Sequence, residues 1–203
     1  MEPRVIVFDF DGTLIDSNRL KYDAYFELFP KDKLHSQVIK NVLATKYEES
    51  RFSILAEILH GLETKESPVS QDQLLNELAN RYNDLVVSGA KTCPEMPGAE
   101  KSIKHLSTRY RLYVSSTTPD TPLKEIIDHR GWAGYFVDSF GYPHKKARTL
   151  QLIKKQEGID SAELLVVGDG ESDRKSAGEN RCRFIHVNRD FRLETLCTRI
   201  NND

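Results

Sequence analysis

The chain contains no run of about 18 apolar residues, so no segment of it reads as a membrane span. It also lacks an excess of basic charge: 29 Lys and Arg stand against 31 Asp and Glu, a formal net charge of −2. A nucleic-acid binder should show a basic patch or a high pI, so nucleic acid is not an expected partner. Cysteine is scarce. Cys93, Cys182 and Cys197 are an odd number with no CxxC or Cys/His metal spacing. They read as reduced packing residues, which points to a reducing compartment and a cytoplasmic protein. The first apolar run, Val5–Phe8, ends at once in an aspartate, which the apolar stretch of a secretory leader would not tolerate. No internal repeat or low-complexity stretch interrupts the sequence.

A length of 203 residues is enough for one α/β core with a smaller insertion. Arg4–Asp9 is a β-branched and aromatic run stopped by Asp-Gly, and reads as a strand buried on both faces. Leu112–Ser115, Leu164–Gly168 and Arg183–Val187 resemble it, and a weaker run surrounds Tyr135–Asp138. Helix-length amphipathic stretches lie between them: Gly98–Thr108, Thr121–Arg130 and Lys146–Glu157. Strand alternating with helix predicts a doubly wound, parallel α/β sheet. From about Ser17 to Lys91 the alternation stops. That stretch carries only helical patterns, at Leu20–Phe29, Val38–Leu43, Phe52–Leu59 and Leu74–Val87. The expected division is an α/β core of residues 1–16 and 92–203, with an all-helical insertion of residues 17–91.

In an open parallel sheet, ligands bind at the carboxyl ends of the strands. Here those ends carry reactive groups. The first strand delivers Asp9-Phe10-Asp11-Gly12-Thr13, and the next ends in Ser115-Ser116-Thr117-Thr118. The weak strand precedes His144-Lys145-Lys146, and Leu164–Gly168 runs into Asp169-Gly170-Glu171-Ser172-Asp173. An Asx-turn would explain one of these aspartates, but not two at each of two strand ends. Clustered carboxylates repel unless a cation joins them, and hard oxygen donors imply Mg²⁺. The inventory suits phosphoryl transfer. Asp9 can attack phosphorus. Asp11, two residues on and on the same side of an extended strand, can serve as general acid and then base. Ser116 and Thr117 would bind phosphate oxygens, and Lys146 would neutralise them.

The set Asp9–Thr13, Ser116, Lys146 and Gly168–Asp173 resembles the four motifs of the haloacid dehalogenase superfamily, in order, from Val5 to about Val187. The resemblance implies a Rossmann-like core. It makes Asp9 the nucleophile and Asp11 the acid/base. The metal ligands it implies are Asp9, the backbone carbonyl of Asp11, and Asp169, with Asp173 in the second shell or reaching the metal through water. Arg111–Pro119 matches the family's strand, Ser, two residues, Pro, which favours Ser116, with Ser115 as the alternative. The spacing to Leu150 and Gly158 favours Lys146, with Lys145 as the alternative. Ser116 and Thr118 could also cap a helix beginning near Pro119, and His144 reads as a surface residue.

The insertion resembles the family's helical cap. Its 10 Lys and Arg against 11 Asp and Glu do not make a clamp for a long polyanion. Small phosphorylated metabolites fit better, with Tyr47 and Arg51 as candidates for touching them. The expected function is Mg²⁺-dependent phosphomonoester hydrolysis, similar to phosphoglycolate-phosphatase-like members. The alternatives are a sugar phosphomutase of the same superfamily and an inactive binding or regulatory member. Asp11 argues against a dehalogenase, which in that superfamily lacks it.

Overall fold

A computed structural model of the chain describes residues 2–46, 49–62, 71–188 and 190–202. The chain divides into two compact units, Met1–Ser17 with Lys91–Asp203, and Asn18–Ala90. The second unit is built from α1 (Asn18–Glu27), α2 (Lys33–Lys46), α3 (Arg51–Gly61) and α4 (Gln71–Thr92), the last running two residues beyond it. Local chemistry starts α3: the Ser50 hydroxyl accepts from the Ser53 amide at 3.2 Å, satisfying one open helix donor. Its Ile54, Leu55, Ile58 and Leu59 then form one buried stripe at helical spacing. They pack with Tyr25, Ile39, Leu43, Leu78 and Tyr82 into a core belonging to this unit alone. α2 and α4 each extend several residues beyond the apolar patterns Val38–Leu43 and Leu74–Val87, because their polar ends continue the helix without adding to the stripe.

The first unit is the α/β one. Its strands are β1 (Val5–Phe8), β2 (Arg111–Pro119), β3 (Asp138–Tyr142), β4 (Leu164–Gly168) and β5 (Arg183–His186). They form a parallel sheet in the order β3-β2-β1-β4-β5. Helices α5 (Ala99–Leu106), α6 (Asp120–His129), α7 (Lys146–Glu157), α8 (Glu171–Asn180) and α9 (Leu196–Asn202) alternate with or follow the strands. Central β1 is buried at every residue, as a strand between two helical layers must be. The chain adds β2 and β3 on one side of β1, then crosses to add β4 and β5 on the other. The direction reverses between β1 and β4, and such a switch point opens a crevice at the carboxyl ends of the strands.

The weak strand lies further along than its sequence pattern indicates. Tyr135 closes a short 3-10 turn, Ala133–Tyr135, and the ladder begins only with Tyr113 opposite Asp138. The residues used, Asp138-Ser139-Phe140-Gly141-Tyr142, carry no strand pattern because a different demand selects them. A Cβ on Gly141 would lie 2.4 Å from the Thr118 carbonyl oxygen and 2.6 Å from Asp120 Cα. Only glycine lets β3 come this close to the end of β2. The Gly141 amide then donates to Asp120 Oδ1 at 2.9 Å. A register irregularity falls here too, between Ser115 and Pro119.

Neighbouring residues on α7 show what the sheet demands of its helices. Ile153 is fully buried against Val5, Val7 and Leu164, whereas Leu152 is 44% exposed. Ile153→Ala should lower unfolding free energy by ~2–5 kcal/mol, and Leu152→Ala by less than ~1 kcal/mol. Urea denaturation of both variants checks this, and similar losses would show that burial is not what distinguishes the two positions.

Candidate active site

The carboxyl ends of β1, β2 and β4 bring one set of side chains together. Asp9 directly follows β1, and its amide donates to the Val167 carbonyl at 2.8 Å, which extends the β1–β4 pairing by one residue. Asp169 directly follows β4, across the switch point. Thr13, fully buried, spans the crevice with its hydroxyl 3.4 Å from Asp169 Oδ1. Asp173 lies in the first turn of α8, where its Oδ2 accepts from the Gly170 amide at 3.3 Å. A carboxylate is favoured there by the open donors of a helix start. A Cβ on Gly168 would sit 2.4 Å from Asp173 Cγ, so the last residue of β4 must be glycine for α8 to pack this closely.

Lys146, the first residue of α7, joins these groups. Its ammonium is 2.9 Å from Asp9 Oδ1 and 2.7 Å from Asp173 Oδ1, with only 10% of its side chain exposed. Burial alone would lower its pKa, but Asp9 and Asp173 outweigh that and hold it above the ordinary lysine value. Burial first, and then the charge of Asp9, push Asp173 up to about 7 against the opposing pull of Lys146. One carboxylate oxygen each from Asp9, Asp169 and Asp173 lie within 4.8 Å of one another. Three converging hard oxygen donors suit a small divalent cation. Both Asp173 oxygens are already engaged, by Lys146 and by Gly170, so this residue serves the ammonium before any metal.

Asp11 is held differently. Ser17 donates to its Oδ1 at 2.6 Å, Thr118 to its Oδ2 at 2.7 Å, and Ser116 lies 3.3 Å from the same Oδ2. All four residues are buried.

The model of the haloacid dehalogenase-like hydrolases matches residues 3–179. The chain belongs to this family. Among its relatives is the phosphoglycolate phosphatase of Aquifex aeolicus, 30% identical over 177 residues, which cover 84% of this chain and 78% of that protein. The phosphoglycolate phosphatase of Vibrio parahaemolyticus is 22% identical over 193 residues, covering 88% of this chain and 81% of that one. The HAD-hydrolase YfnB of Bacillus subtilis, solved bound to magnesium, shares the fold. Its TM-score is 0.74 at 16% identity, with 99% of this chain and 100% of that one covered.

In this haloacid dehalogenase-like hydrolase, the structure gathers Asp9, Asp11, Ser116, Lys146, Asp169 and Asp173 at one sheet edge. Ser115 and Ser116 part company there. Ser116 reaches Asp11, while the buried Ser115 hydroxyl finds no hydrogen-bond partner among the described residues. Lys145, His144 and Thr117 are exposed. Thr118 does not cap a helix: α6 starts at Asp120 with no side-chain cap bond, and the Thr118 hydroxyl turns to Asp11 instead. Arg51 opens α3 with its guanidinium 4.8 Å from the Phe52 ring centroid, and Tyr47 lies outside the described residues. Two contributors are not identifiable from motif spacing, Ser17 and Thr118. Only a buried hydroxyl beside the Asp11 carboxylate marks them, and burial of single polar residues is not written in the sequence.

Removing the ammonium should expose the repulsion it masks. Lys146→Met is expected to destabilise the metal-free protein by ~3–5 kcal/mol at neutral pH, because a buried carboxylate pair loses its partner. The pH dependence has a definite sign. The folded protein holds a proton on Asp173 more tightly than the unfolded chain, whose carboxylates titrate near ~4. Stability from this group is therefore lost as pH rises from there through about 7. The deficit of Lys146→Met relative to wild type should be larger at pH 8 than at pH 5. Denaturant titrations at both values decide it, and an equal deficit would remove charge repulsion as the cause.

Proposed function

We propose that this chain is a Mg²⁺-dependent phosphatase that hydrolyses a small phosphomonoester through an aspartyl-phosphate on Asp9. One observation carries the reading: the Lys146 ammonium pinned between Asp9 and Asp173, with the Asp169 carboxylate converging on the same point. An anionic nucleophile can meet an anionic phosphate only where cations crowd both. Asp9 and Asp169, with the Asp11 carbonyl that the family resemblance adds, would hold the metal. Bound Mg²⁺ would supply positive charge against the phosphoryl oxygens.

The steps then fall to the chain's own groups. An Asp9 carboxylate oxygen bonds to phosphorus as the bond to the leaving oxygen breaks, and Asp11 gives that oxygen its proton. A water molecule next attacks the phosphorus. Asp11 takes the proton from it, inorganic phosphate departs, and Asp9 returns to a carboxylate. Lys146 and the Ser116 hydroxyl steady the phosphoryl oxygens throughout.

Phosphoglycolate is the first substrate to try, since it is what the relatives of Aquifex and Vibrio are named for. Discrimination between leaving groups we assign to the helical unit Asn18–Ala90, read as a cap, because groups facing the phosphoryl cannot tell one ester from another. Arg51→Ala should therefore change the ranking of substrates more than the rate on a small aryl phosphate. A reducing, cytoplasmic setting accords with the three thiols, which form no disulfide among the described residues.

Phosphate release from a panel of phosphomonoesters tests the reading. Asp9→Asn should give no measurable turnover, and Asp11→Asn should lose ~10²–10⁴-fold in rate. Wild-type turnover by Asp9→Asn would sink the mechanism, and isomerised sugar phosphate in place of free phosphate would make the protein a mutase. EDTA should silence the enzyme, Mg²⁺ should restore it and Ca²⁺ should substitute poorly. Because a ligand that binds only the folded state raises stability, Mg²⁺ should also raise the Tm of the metal-free protein, and much less in Asp169→Ala. Full activity in excess chelator would rule the metal out.

A further inference from the structure

We infer that Thr118 is a positioning residue for the reaction, its side chain fixing the Asp11 carboxyl while its amide orients the Ser116 hydroxyl. The inference rests on the phosphatase reading above. Thr118 is buried, and its Oγ1 donates to Asp11 Oδ2 at 2.7 Å, shorter than the 3.3 Å from Ser116 to the same oxygen. Its amide donates to Ser116 Oγ at 3.0 Å. That bond occupies one lone pair of the serine oxygen, so its hydrogen, given to Asp11 at 3.3 Å here, is the part that can swing toward a phosphoryl oxygen. One residue thus reaches both the acid/base and a phosphate-binding group.

The surroundings hold Thr118 in place. Its carbonyl lies against Gly141, at the point where only glycine fits, and Pro119 follows it with a fixed φ. Its β-branched side chain adds a restricted χ1. A hydroxyl is also the donor that the chemistry of Asp11 calls for. As acid and base in turn, Asp11 is a carboxylic acid in one step and a carboxylate in the next. A hydroxyl can donate to the carboxylate and accept from the acid, whereas an ammonium or a backbone N–H can only donate. Thr118 and Ser17 can therefore keep Asp11 in one orientation through both states. The amide of Thr118 would serve the serine equally well in any residue but proline, so the hydroxyl is the part to test.

Thr118→Val keeps the shape, the β-branch and the amide but removes the hydroxyl. The informative quantity is kcat/KM, which reports events up to formation of the aspartyl-phosphate. An alkyl ester such as phosphoglycolate leaves as a strongly basic alkoxide and needs the proton from Asp11; 4-nitrophenyl phosphate leaves as a stable phenolate and hardly does. Thr118→Val should lower kcat/KM by ~10–100-fold on the alkyl ester and by less than ~3-fold on the aryl ester. Thr118→Ser should restore the alkyl rate to within ~3-fold of wild type. Urea midpoints confirm folding, and if Thr118→Val does not fold, Thr118→Ala takes its place in the same comparison. An equal loss on both esters, no loss on either, or no recovery with serine overturns the assignment of Thr118 alone. Wild-type protein that releases phosphate from neither ester overturns the phosphatase reading, and this inference with it.

Discussion

Like charges must be brought together in this protein, and the first unit is arranged around making that tolerable. Asp9, Asp169 and Asp173 converge to within 4.8 Å, at a place where Asp9 and Asp173 are almost withdrawn from water. Left alone, such a cluster would take up protons rather than keep its charge, and the raised pKa of Asp173 shows that pressure. One ammonium, from Lys146, counters it on two sides. The cluster is a poor way to stabilise a fold and a good way to prepare a site for a divalent cation and a phosphate.

The sheet topology makes the convergence geometrically cheap. Asp9 and Asp169 each stand one residue beyond the end of neighbouring strands, and the Asp9 amide is still hydrogen-bonded to β4. Parallel pairing therefore fixes their separation with no loop between them. Lys146 and Asp173 arrive on the first turns of α7 and α8, elements that rise from the same edge. Gly168 and Gly141 set the close approaches, one admitting Asp173 beneath β4, the other pressing β3 against the end of β2. The ladder, the helix starts and two missing side chains together place the groups.

How far the sequence discloses this depends on which force selects each residue. β1 and β4 are legible because burial on both faces demands an unbroken apolar run, and such a run is visible. β3 is displaced from its apparent run because its residues answer to backbone proximity, which leaves glycine and aspartate where a strand pattern would place valine. α8 escapes the pattern too. Glu171–Asn180 is almost wholly polar, with Ala177 its one buried apolar side chain, and Asp173 ties back to the Gly170 amide at its start. Within the site the charged residues are legible, because a carboxylate or an ammonium at a strand end has few bland explanations. Of the hydroxyls, only Ser116 is, through the motif it resembles. Thr118 reads equally well as a helix cap, and Ser17 lies beyond the motif with no spacing to mark it.

The two motif aspartates are supported by different chemistry, and the difference suits the tasks proposed for them. As the proposed nucleophile Asp9 would act as an anion and benefit from a fixed positive charge, and Lys146 stands 2.9 Å away. Asp11, as the proposed acid and then base, would change its protonation state twice in each cycle. An ammonium at hydrogen-bonding distance would favour its ionised form too strongly for it to hold the proton it would have to donate. Ser17, Ser116 and Thr118 surround it with groups that bear no net charge and can reverse the sense of a hydrogen bond. Two residues apart beyond one strand, Asp9 is paired with a cation and Asp11 with hydroxyls.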